Sequence, residues 1–461
     1  MVNSKKKHIL FWGFIILLYV FFLLNILKGM SDEFVIRISV VSSLTLLILL
    51  IRSTYAYTST LLTPGLIFLS SFYLFQNGQI LLYSLSVDFN TFYINKFGAR
   101  IVEASIFSSI SNVIAAYAYF IKSRKSNDAR RISKIDYLDR NSIAILAYKS
   151  FWIMGAVAIP LIIVKFGVSL KGGYQAVRSL EGGIPQIISF VEYLFPLFAF
   201  LSLIYCSEKK VKVTRMFFII WLLLTSMCGD RTTGLSGLLL VFFLNYKFSS
   251  SQGKTKSAFI KLIVAAFLLL LMIRIAGSYR SNASISDANF ENSLVVDVVS
   301  ELGFSVVPLL NIMEICPSTV SIQYGYEYLL SFIGGCIPTF LDPTGTVKTI
   351  NGMSRSFEDF QSLYLNFDSF GFGWSLNADA YYNFGWYGLI SIFFICLIIF
   401  HYLGNASFKN VSKDFYLYEV CVLLFMWITL PRRDSYYLWK AIVYCVVFMQ
   451  FYITIFTKKR V

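Results

Sequence analysis

The sequence predicts an all-α, polytopic helical membrane protein that forms a single integral membrane domain over residues 1–461. Hydrophobic residues make up 57% of the chain and charged residues only 14%, whereas soluble domains are about one quarter charged. Apolar runs long enough to cross about 30 Å of hydrocarbon recur along the whole chain. These runs lack the two-residue alternation of transmembrane β-strands, so the fold class is helical.

The first apolar run follows a basic N-terminal segment, as in a secretory signal peptide. It is too long for the apolar core of such a peptide, and no small-residue cleavage site follows it, so we expect an uncleaved helix. Hydropathy along the rest of the chain brings the total to about twelve transmembrane helices. The predicted spans are 9–27, 34–51, 61–82, 101–121, 143–166, 186–206, 214–230, 233–247, 258–275, 384–404, 415–430 and 435–457.

Basic residues cluster in the connections 122–140, 207–215 and 247–261 and at both termini. With twelve spans, all of these segments fall on one side of the membrane, which the positive-inside rule identifies as the cytoplasm. Both termini are therefore expected to be cytoplasmic. The extracytoplasmic side then receives the loop 167–185, the turn at Asp230–Arg231, a large loop at 276–383 and the turn 431–434. The large loop is rich in apolar residues and interrupted by prolines, so we expect it to form short helices at the outer leaflet and not a separate soluble domain.

The net charge of +15 is accounted for by these cytoplasmic loops, so we expect no nucleic-acid partner. The two histidines, His8 and His401, fall on the cytoplasmic side, and the seven cysteines lack metal-binding spacing. We therefore expect no metal site and no cofactor. Cys316 and Cys336 lie in the large loop, where they form a disulfide only in an oxidising compartment or stay as two free thiols.

An acid and a base, Asp230 and Arg231, stand side by side between two apolar runs. An arginine at the bilayer centre costs about 2.5–3.5 kcal/mol on insertion scales. The predicted topology instead places the pair at a turn, at headgroup depth. Two interpretations follow: an interfacial pair whose side chains reach towards water, or part of a site for an anionic ligand.

Arginines are unusually frequent on the predicted outer side, where positive charge opposes the insertion bias. Guanidinium groups bind phosphate through a planar, bidentate fork and keep their charge at physiological pH. We therefore predict an outer site for a lipid-linked diphosphate, although some of these residues will only contact lipid headgroups. The candidate diphosphate-binding residues are Arg231, Arg432, Arg433, Arg280, Arg178 and Arg355.

The large loop carries acidic and aromatic residues that suit glycan chemistry. A carboxylate can deprotonate a sugar hydroxyl as a general base, and the candidates are Glu301, Asp379 and Glu358. The alternative is that these acids only pair with the outer arginines. Aromatic rings stack on sugar faces but also form belts at membrane interfaces. The candidate stacking residues are Tyr324, Tyr381 and Trp374.

An ordered set of short motifs spans about residues 167–440. G-D-R at 229–231 is followed by E-L-G-F-S at 301–305 and Y-G-Y-E-Y-L at 324–329, then I-P, G-F-G-W-S-L-N-A-D-A-Y-Y-N-F-G-W-Y-G and P-R-R. In this order the set resembles the bacterial Wzy-type O-antigen and capsule repeat-unit polymerases. One departure is Asp379, where this family more often has glutamate; the carboxylate is kept.

The resemblance implies a glycosyltransferase of surface polysaccharide synthesis, for O-antigen, capsule or exopolysaccharide. Such an enzyme transfers the growing glycan from undecaprenyl diphosphate to the next lipid-linked repeat unit, without a metal or a nucleotide sugar. It lies in the bacterial cytoplasmic membrane, with its active face extracytoplasmic. Besides the lipid-linked oligosaccharide and membrane lipids, the resemblance suggests a chain-length regulator and the matching flippase as partners.

Two other functions use the same substrates. An O-antigen ligase is one, but we would expect a histidine in its outer loop, and the sequence has none there. A flippase of the lipid-linked oligosaccharide is the other, and it would need charges along a central cavity. The flippase alternative is favoured by three lysines within or near predicted spans, Lys149, Lys165 and Lys440. The large outer loop does not favour it.

The predicted topology can be tested with a reporter fused at residue 340. Because this position lies in the predicted outer loop, we expect alkaline phosphatase activity from the fusion and none from a fusion within 122–140. A cytoplasmic signal at residue 340 would refute the assignment of twelve spans with both termini inside.

Overall fold

The structure is a computed structural model in which α-helices dominate and no β-strand occurs within the described residues. The all-α, polytopic fold predicted from the sequence is confirmed. The described residues are 2–26, 29–58, 63–89, 91, 94–95, 98–125, 135, 138–250, 293–342, 373–403 and 414–457.

The N-terminal half consists of long helices. A π-helix at Phe22–Ile26 continues the first helix, and a 3-10 turn at Gly98–Arg100 precedes the fourth. The helices are α1 (Val2–Phe21), α2 (Asp32–Thr58), α3 (Pro64–Ser84), α4 (Ile101–Lys125), α5 (Arg140–Gly183), α6 (Gln186–Tyr205), α7 (Glu208–Met227) and α8 (Arg231–Ser250).

The C-terminal half contains shorter pieces before its last spans. Three 3-10 turns, at Thr339–Leu341, Gly385–Tyr387 and Leu430–Arg432, and a π-helix at Ile442–Phe448 lie among them. The helices are α9 (Leu294–Gly303), α10 (Val306–Ile315), α11 (Tyr326–Cys336), α12 (Leu376–Phe384), α13 (Gly388–Leu403), α14 (Asp414–Trp427), α15 (Tyr436–Ala441) and α16 (Met449–Phe456).

Within the described residues, ten segments are long and apolar enough to cross a membrane. Nine of them coincide with predicted spans, with ends that differ by several residues. The segments are His8–Asn25, Asp32–Tyr55, Pro64–Ser84, Gly98–Ser123, Arg140–Gly173, Gln186–Tyr205, Leu294–Ile315, Leu376–Leu403, Phe415–Arg432 and Tyr436–Phe456.

The span count differs from the prediction in three places. The predicted spans 214–230 and 233–247 fall in α7 and α8. Both are helical but are not among the ten segments, because basic residues begin α7 and the apolar part of α8 is only Thr232–Asn245. Leu294–Ile315, predicted as loop, is apolar enough to span, although its helix breaks between α9 and α10. The predicted span 258–275 lies outside the described residues, so twelve remains a prediction.

Several helices begin at a polar residue that caps the free backbone N–H groups of the first turn. Thr63 Oγ1 accepts from Leu66 N at 3.1 Å ahead of α3, whose first residue is a proline. Asp139 Oδ2 accepts from Ser142 N at 2.8 Å and so starts α5. Such caps are valuable in a membrane protein, because hydrocarbon cannot satisfy a free N–H group.

Apolar side chains lie on both the inside and the outside of the bundle. Phe195, Phe218 and Trp427 are among the large buried side chains. Leu10, Leu17 and Phe14 on α1 are exposed, as expected for a helix that faces lipid. Because lipid is as apolar as the interior, close packing and polar contacts hold such helices together more than the hydrophobic effect does.

A close helix crossing joins α3 and α9 at two glycines. A Cβ at Gly78 would lie 2.7 Å from the backbone oxygen of Val299 and 2.9 Å from the Cα of Gly303. A Cβ at Gly303 would collide with the backbone of Gln79 and Gly78. Small residues allow this approach of two backbones, a common feature of membrane helix pairs. The crossing fixes Glu301, two residues before the end of α9, against α3.

The thiols of Cys316 and Cys336 are both free, so the disulfide considered from the sequence does not form. Burial raises the pKa of the Cys316 thiol to about 12. The thiol therefore stays protonated at neutral pH, and we assign it a packing role.

Substitution of Gly303 by alanine tests the α3–α9 crossing. Because the new methyl group would collide with backbone, which cannot move aside, we expect a loss of stability of about 1–3 kcal/mol. Thermal unfolding in detergent measures this loss as a lower Tm. Gly167→Ala is the matched control, since a Cβ at Gly167 meets no atom within 4 Å. Equal Tm values for the two variants would contradict the prediction.

Candidate functional site

The G-D-R turn connects α7 to α8 and has three locally determined features. Gly229 adopts φ 103°, a left-handed conformation that favours glycine. Asp230 Oδ1 accepts from Thr233 N at 3.1 Å and from Thr232 Oγ1 at 2.9 Å, so the acid caps α8. A Cβ at Gly234 would lie only 2.6 Å from the backbone oxygen of Leu222. The lack of a side chain at Gly234 therefore allows α7 and α8 to pack closely beside the turn.

These contacts give Asp230 a structural function that the sequence did not reveal. The sequence offered Asp230 as an ionic partner for Arg231, whereas its carboxylate is occupied with the first turn of α8. The backbone of Arg231 begins α8. Its side chain lies outside the described part of the structure, so a diphosphate contact by Arg231 remains a proposal.

The P-R-R-D turn at 431–434 is held by buried hydrogen bonds from two other helices. Gln76 Nε2 of α3 donates to the backbone oxygen of Pro431 at 2.6 Å. On the other side, the backbone N–H of Ser435 donates to Asp379 Oδ2 of α12 at 2.9 Å. Because these bonds fix the backbone on both sides of Arg432 and Arg433, the positions of the two guanidinium groups are restricted.

The two arginines of the turn contact different neighbours. Arg433 Nη2 donates to Thr232 Oγ1 at 3.3 Å, and its guanidinium lies 4.4 Å from the ring centroid of Tyr437. Arg432 Nη1 lies 4.0 Å from Glu301 Oε1. The P-R-R-D turn therefore contacts Thr232, the residue after Arg231, through Arg433 and contacts Glu301 through Arg432.

Glu301 stands on α9 at a position fixed by the glycine crossing. The preceding residue, Ser300, accepts a hydrogen bond at its backbone oxygen from Gln79 Nε2 at 3.1 Å. The Glu301 side chain is 36% exposed. Its carboxylate is thus accessible and close to a guanidinium, the arrangement required of an acid that meets a polar substrate.

Asp379 is buried, with only 3% of its surface exposed. Besides its bond to Ser435, its Oδ1 atom accepts from Asn383 Nδ2 at 3.3 Å. The neighbouring acids Asp434 and Glu327 are also buried and interact electrostatically with Asp379. This geometry suits an acid that holds the P-R-R-D turn in place better than one that meets substrate.

Asn383 connects this carboxylate to α11. Its Oδ1 atom accepts from the backbone N–H of Tyr328 at 3.3 Å, while its amide group reaches Asp379. Burial, assisted by the charge of Asp379, raises the pKa of the Tyr328 phenol. Its hydroxyl lies 3.0 Å from Ser391 Oγ. The phenol therefore stays neutral and links α11 to α13.

Two further acids, Glu327 and Asp434, are not among the site residues predicted from the sequence. Asp434 follows P-R-R directly, and Glu327 is the acid of Y-G-Y-E-Y-L, so both stand in motifs that were recognised. Their burial beside Asp379 is a tertiary property that neither motif reveals. Among the described residues, no group of three or more histidines, cysteines or acids is arranged to hold a metal ion.

The three aromatic candidates have different surroundings. Tyr381 packs edge-on against Phe107 at 5.7 Å between ring centroids. Trp374 packs edge-on against Tyr382 at 6.1 Å. Tyr324 is 83% exposed and adopts φ 51°, next to a left-handed Gly325. Strained backbone of this kind clusters at ligand sites, so Tyr324 is the best placed of the three to meet a glycan.

The remaining candidates divide into two groups. Arg178 lies in α5, after a break at Gly173, and is exposed. Glu358, Arg280 and Arg355 lie outside the described residues, so their roles stay predictions.

The bundle and its charged cluster define the class of this protein, a polytopic membrane protein with arginines and carboxylates gathered where several helix ends meet. The family model for the O-antigen polysaccharide polymerase Wzy matches residues 9–460, nearly the whole chain. The chain belongs to this family. No curated protein matches it, and no solved structure matches it.

Family membership assigns the general function of an O-antigen repeat-unit polymerase that acts on lipid-linked oligosaccharides in a membrane. Together with the apolar helices, it makes the chain a multi-pass protein of the bacterial inner membrane. The resemblance stated from the sequence motifs is confirmed.

Proposed function

We propose that this chain transfers the growing glycan from undecaprenyl diphosphate to the non-reducing sugar of the next lipid-linked unit, at the extracytoplasmic face. The observation that carries the proposal is the P-R-R-D turn, which contacts both Glu301 and the residue after Arg231. One set of side chains can therefore serve a sugar hydroxyl and a diphosphate together.

In the proposed reaction a carboxylate takes the proton of the acceptor hydroxyl as its oxygen attacks the anomeric carbon. The bond from that carbon to the diphosphate oxygen breaks, and undecaprenyl diphosphate leaves. Arginines near the diphosphate stabilise the charge that develops on it. The diphosphate is already a good leaving group, so this scheme needs no metal or nucleotide sugar, and one base suffices for an inverting transfer.

Glu301 is our choice for the base, ahead of Asp379. Its side chain is accessible, and Arg432 Nη1 lies 4.0 Å from it. Asp379 is buried and accepts the backbone N–H of Ser435, so we assign it to positioning the turn. Glu358 remains a candidate base outside the described residues.

Arg231, Arg432 and Arg433 form the proposed core of the diphosphate site, with Arg178, Arg280 and Arg355 as further candidates. Arg433 contacts Thr232, which keeps its guanidinium beside the start of α8. Tyr324 is the proposed glycan-stacking residue, with Tyr381 and Trp374 assigned to packing. A chain-length regulator and the matching flippase remain proposed partners.

The residues that favoured a flippase have local explanations. Lys165 is held by Glu181 and Glu192, and Lys440 lies over the ring of Tyr193 at 4.5 Å. Lys149 is exposed on α5. Lys165 and Lys440 thus contact separate neighbours and Lys149 is exposed, which supports a polymerase over a transporter with a charged central cavity.

Glycan ladders from a strain that lacks this protein test the function. In a strain that lacks the polymerase, the lipid carrier and the finished surface glycan carry only single repeat units. Expression of the wild-type protein in this strain should restore the ladder. Loss of ligation with normal long chains on the carrier would indicate a ligase instead. Repeat units trapped on the cytoplasmic side would indicate a flippase.

In this complemented strain, Glu301→Gln should abolish the ladder at normal protein abundance. The amide keeps the shape of the side chain but cannot accept the hydroxyl proton, so we expect polymerisation to fall about 10²–10⁴-fold. Glu314→Gln, an exposed acid at the end of α10, is the matched control and should leave the ladder intact. A normal ladder from Glu301→Gln would move the base elsewhere.

Arg231→Lys separates a diphosphate contact from an interfacial charge. An ammonium cannot reproduce a bidentate fork, so we expect most activity to be lost while the protein still inserts and accumulates. Arg100→Lys is the control, because Arg100 is an exposed arginine paired with Glu103 at 2.8 Å. Full-length polymer from Arg231→Lys at normal abundance would exclude the diphosphate role.

A further inference from the structure

An ion cluster around buried Lys165 contains none of the residues assigned to the reaction. Lys165 of α5 is only 8% exposed at its side chain. Its ammonium group donates to Glu192 Oε2 and Oε1 at 2.8 and 3.0 Å and to Glu181 Oε1 at 3.0 Å. An ammonium has three N–H donors, so these three contacts match its full capacity.

The contact to Glu181 depends on a reversal of the chain. In an unbroken helix, residues 165 and 181 would stand about 24 Å apart along the axis. At Gly173 the backbone adopts φ 67° and ψ −165°, which ends the helical path and suits glycine. The following residues 174–183, here called the outer segment, fold back so that Glu181 reaches Lys165.

This cluster borders the G-D-R turn. Ser169 Oγ of α5 donates to the backbone oxygen of Met227 at 3.3 Å, two residues before Gly229. The Glu192 carboxylate of the cluster also interacts electrostatically with Asp230 of the turn. The ion cluster thus sits beside the turn that carries Arg231.

The outer segment carries Arg178, an exposed arginine three residues before Glu181. Three residues are nearly one helical turn, so fixing the Glu181 carboxylate also fixes the turn that presents Arg178. Val177 is buried and anchors the same turn by packing.

We propose that Lys165 and Glu181 are positioning residues that hold the outer segment beside the G-D-R turn, so that Arg178 adds a guanidinium to the site for the substrate diphosphate. This inference rests on the proposed function. It goes beyond that function by assigning a task to a buried ion cluster that touches none of the residues proposed to react.

The two carboxylates have separable tasks. Glu192 lies within the bundle and compensates the buried charge of Lys165, because a buried ammonium without a partner is costly. Glu181 is 47% exposed, and its removal leaves Lys165 paired with Glu192. Replacement of Glu181 should therefore release the outer segment without unfolding the bundle.

The test is binding of farnesyl diphosphate to the purified full-length protein in detergent, compared between wild type, Glu181→Ala, Arg178→Ala and the double variant. We expect each single variant to raise the Kd about tenfold, the effect of losing one charge-assisted hydrogen bond. If Glu181 acts only through Arg178, the double variant should be no weaker than either single variant.

Lys171→Ala is the matched control. Lys171 is an exposed basic residue on the other side of the Gly173 break, and its removal should leave the Kd unchanged. A Tm of Glu181→Ala equal to that of the wild type would verify that the bundle is intact. The proposal is overturned by an unchanged Kd for Glu181→Ala, or by a double variant whose loss equals the product of the two single losses.

Failure of this inference and failure of the proposed function give different results. If wild type binds farnesyl diphosphate with the expected pattern among variants, but the deletion strain retains its ladder, the reaction assignment fails while the positioning role stands. If the ladder depends on this protein but Glu181→Ala binds the probe as wild type does, only the positioning role fails.

Discussion

The anchoring of the P-R-R-D turn is the constraint on which the rest of the site depends. This short turn receives a hydrogen bond from Gln76 at Pro431 and gives one to Asp379 from Ser435. Each bond joins segments distant in sequence, and both are buried, where an unmade hydrogen bond costs about 1–3 kcal/mol. The contacts of Arg432 with Glu301 and of Arg433 with Thr232 exist because this backbone is fixed.

Polar anchors of this kind are the appropriate device for a membrane bundle. Lipid is as apolar as the interior, so burial of apolar groups does little to choose one helix arrangement over another. The glycine crossing of α3 and α9 lets two backbones approach, which brings Gln79 within 3.1 Å of the Ser300 oxygen. Helix packing and polar contacts then specify the same arrangement, the agreement that favours one native structure.

Hydropathy and basic loops predict most spans, because crossing hydrocarbon constrains length and composition directly. The motifs also predict Glu301, Asp379, Arg432 and Arg433 as charged residues that matter. They cannot separate accessible Glu301 from buried Asp379, because that difference arises from partners such as Ser435, 56 residues away. The reversal at Gly173 lies within the predicted loop 167–185, but the contact between Glu181 and Lys165 joins residues on the two sides of that reversal, so no local pattern reveals it.

The loose pairing of Arg432 with Glu301 has a consequence for the proposed reaction. Arginines on the predicted outer side oppose the insertion bias, and a nearby carboxylate lowers that cost before substrate arrives. At 4.0 Å the pair is at the outer limit of an ion pair and partly exposed, so its net stabilisation is small, about 0–1 kcal/mol. A diphosphate offers Arg432 more charge and a bidentate partner. Binding would therefore draw Arg432 away from the Glu301 carboxylate, and the acceptor hydroxyl could take the place of the guanidinium beside it. The same substrate group that becomes the leaving group would thus prepare the base.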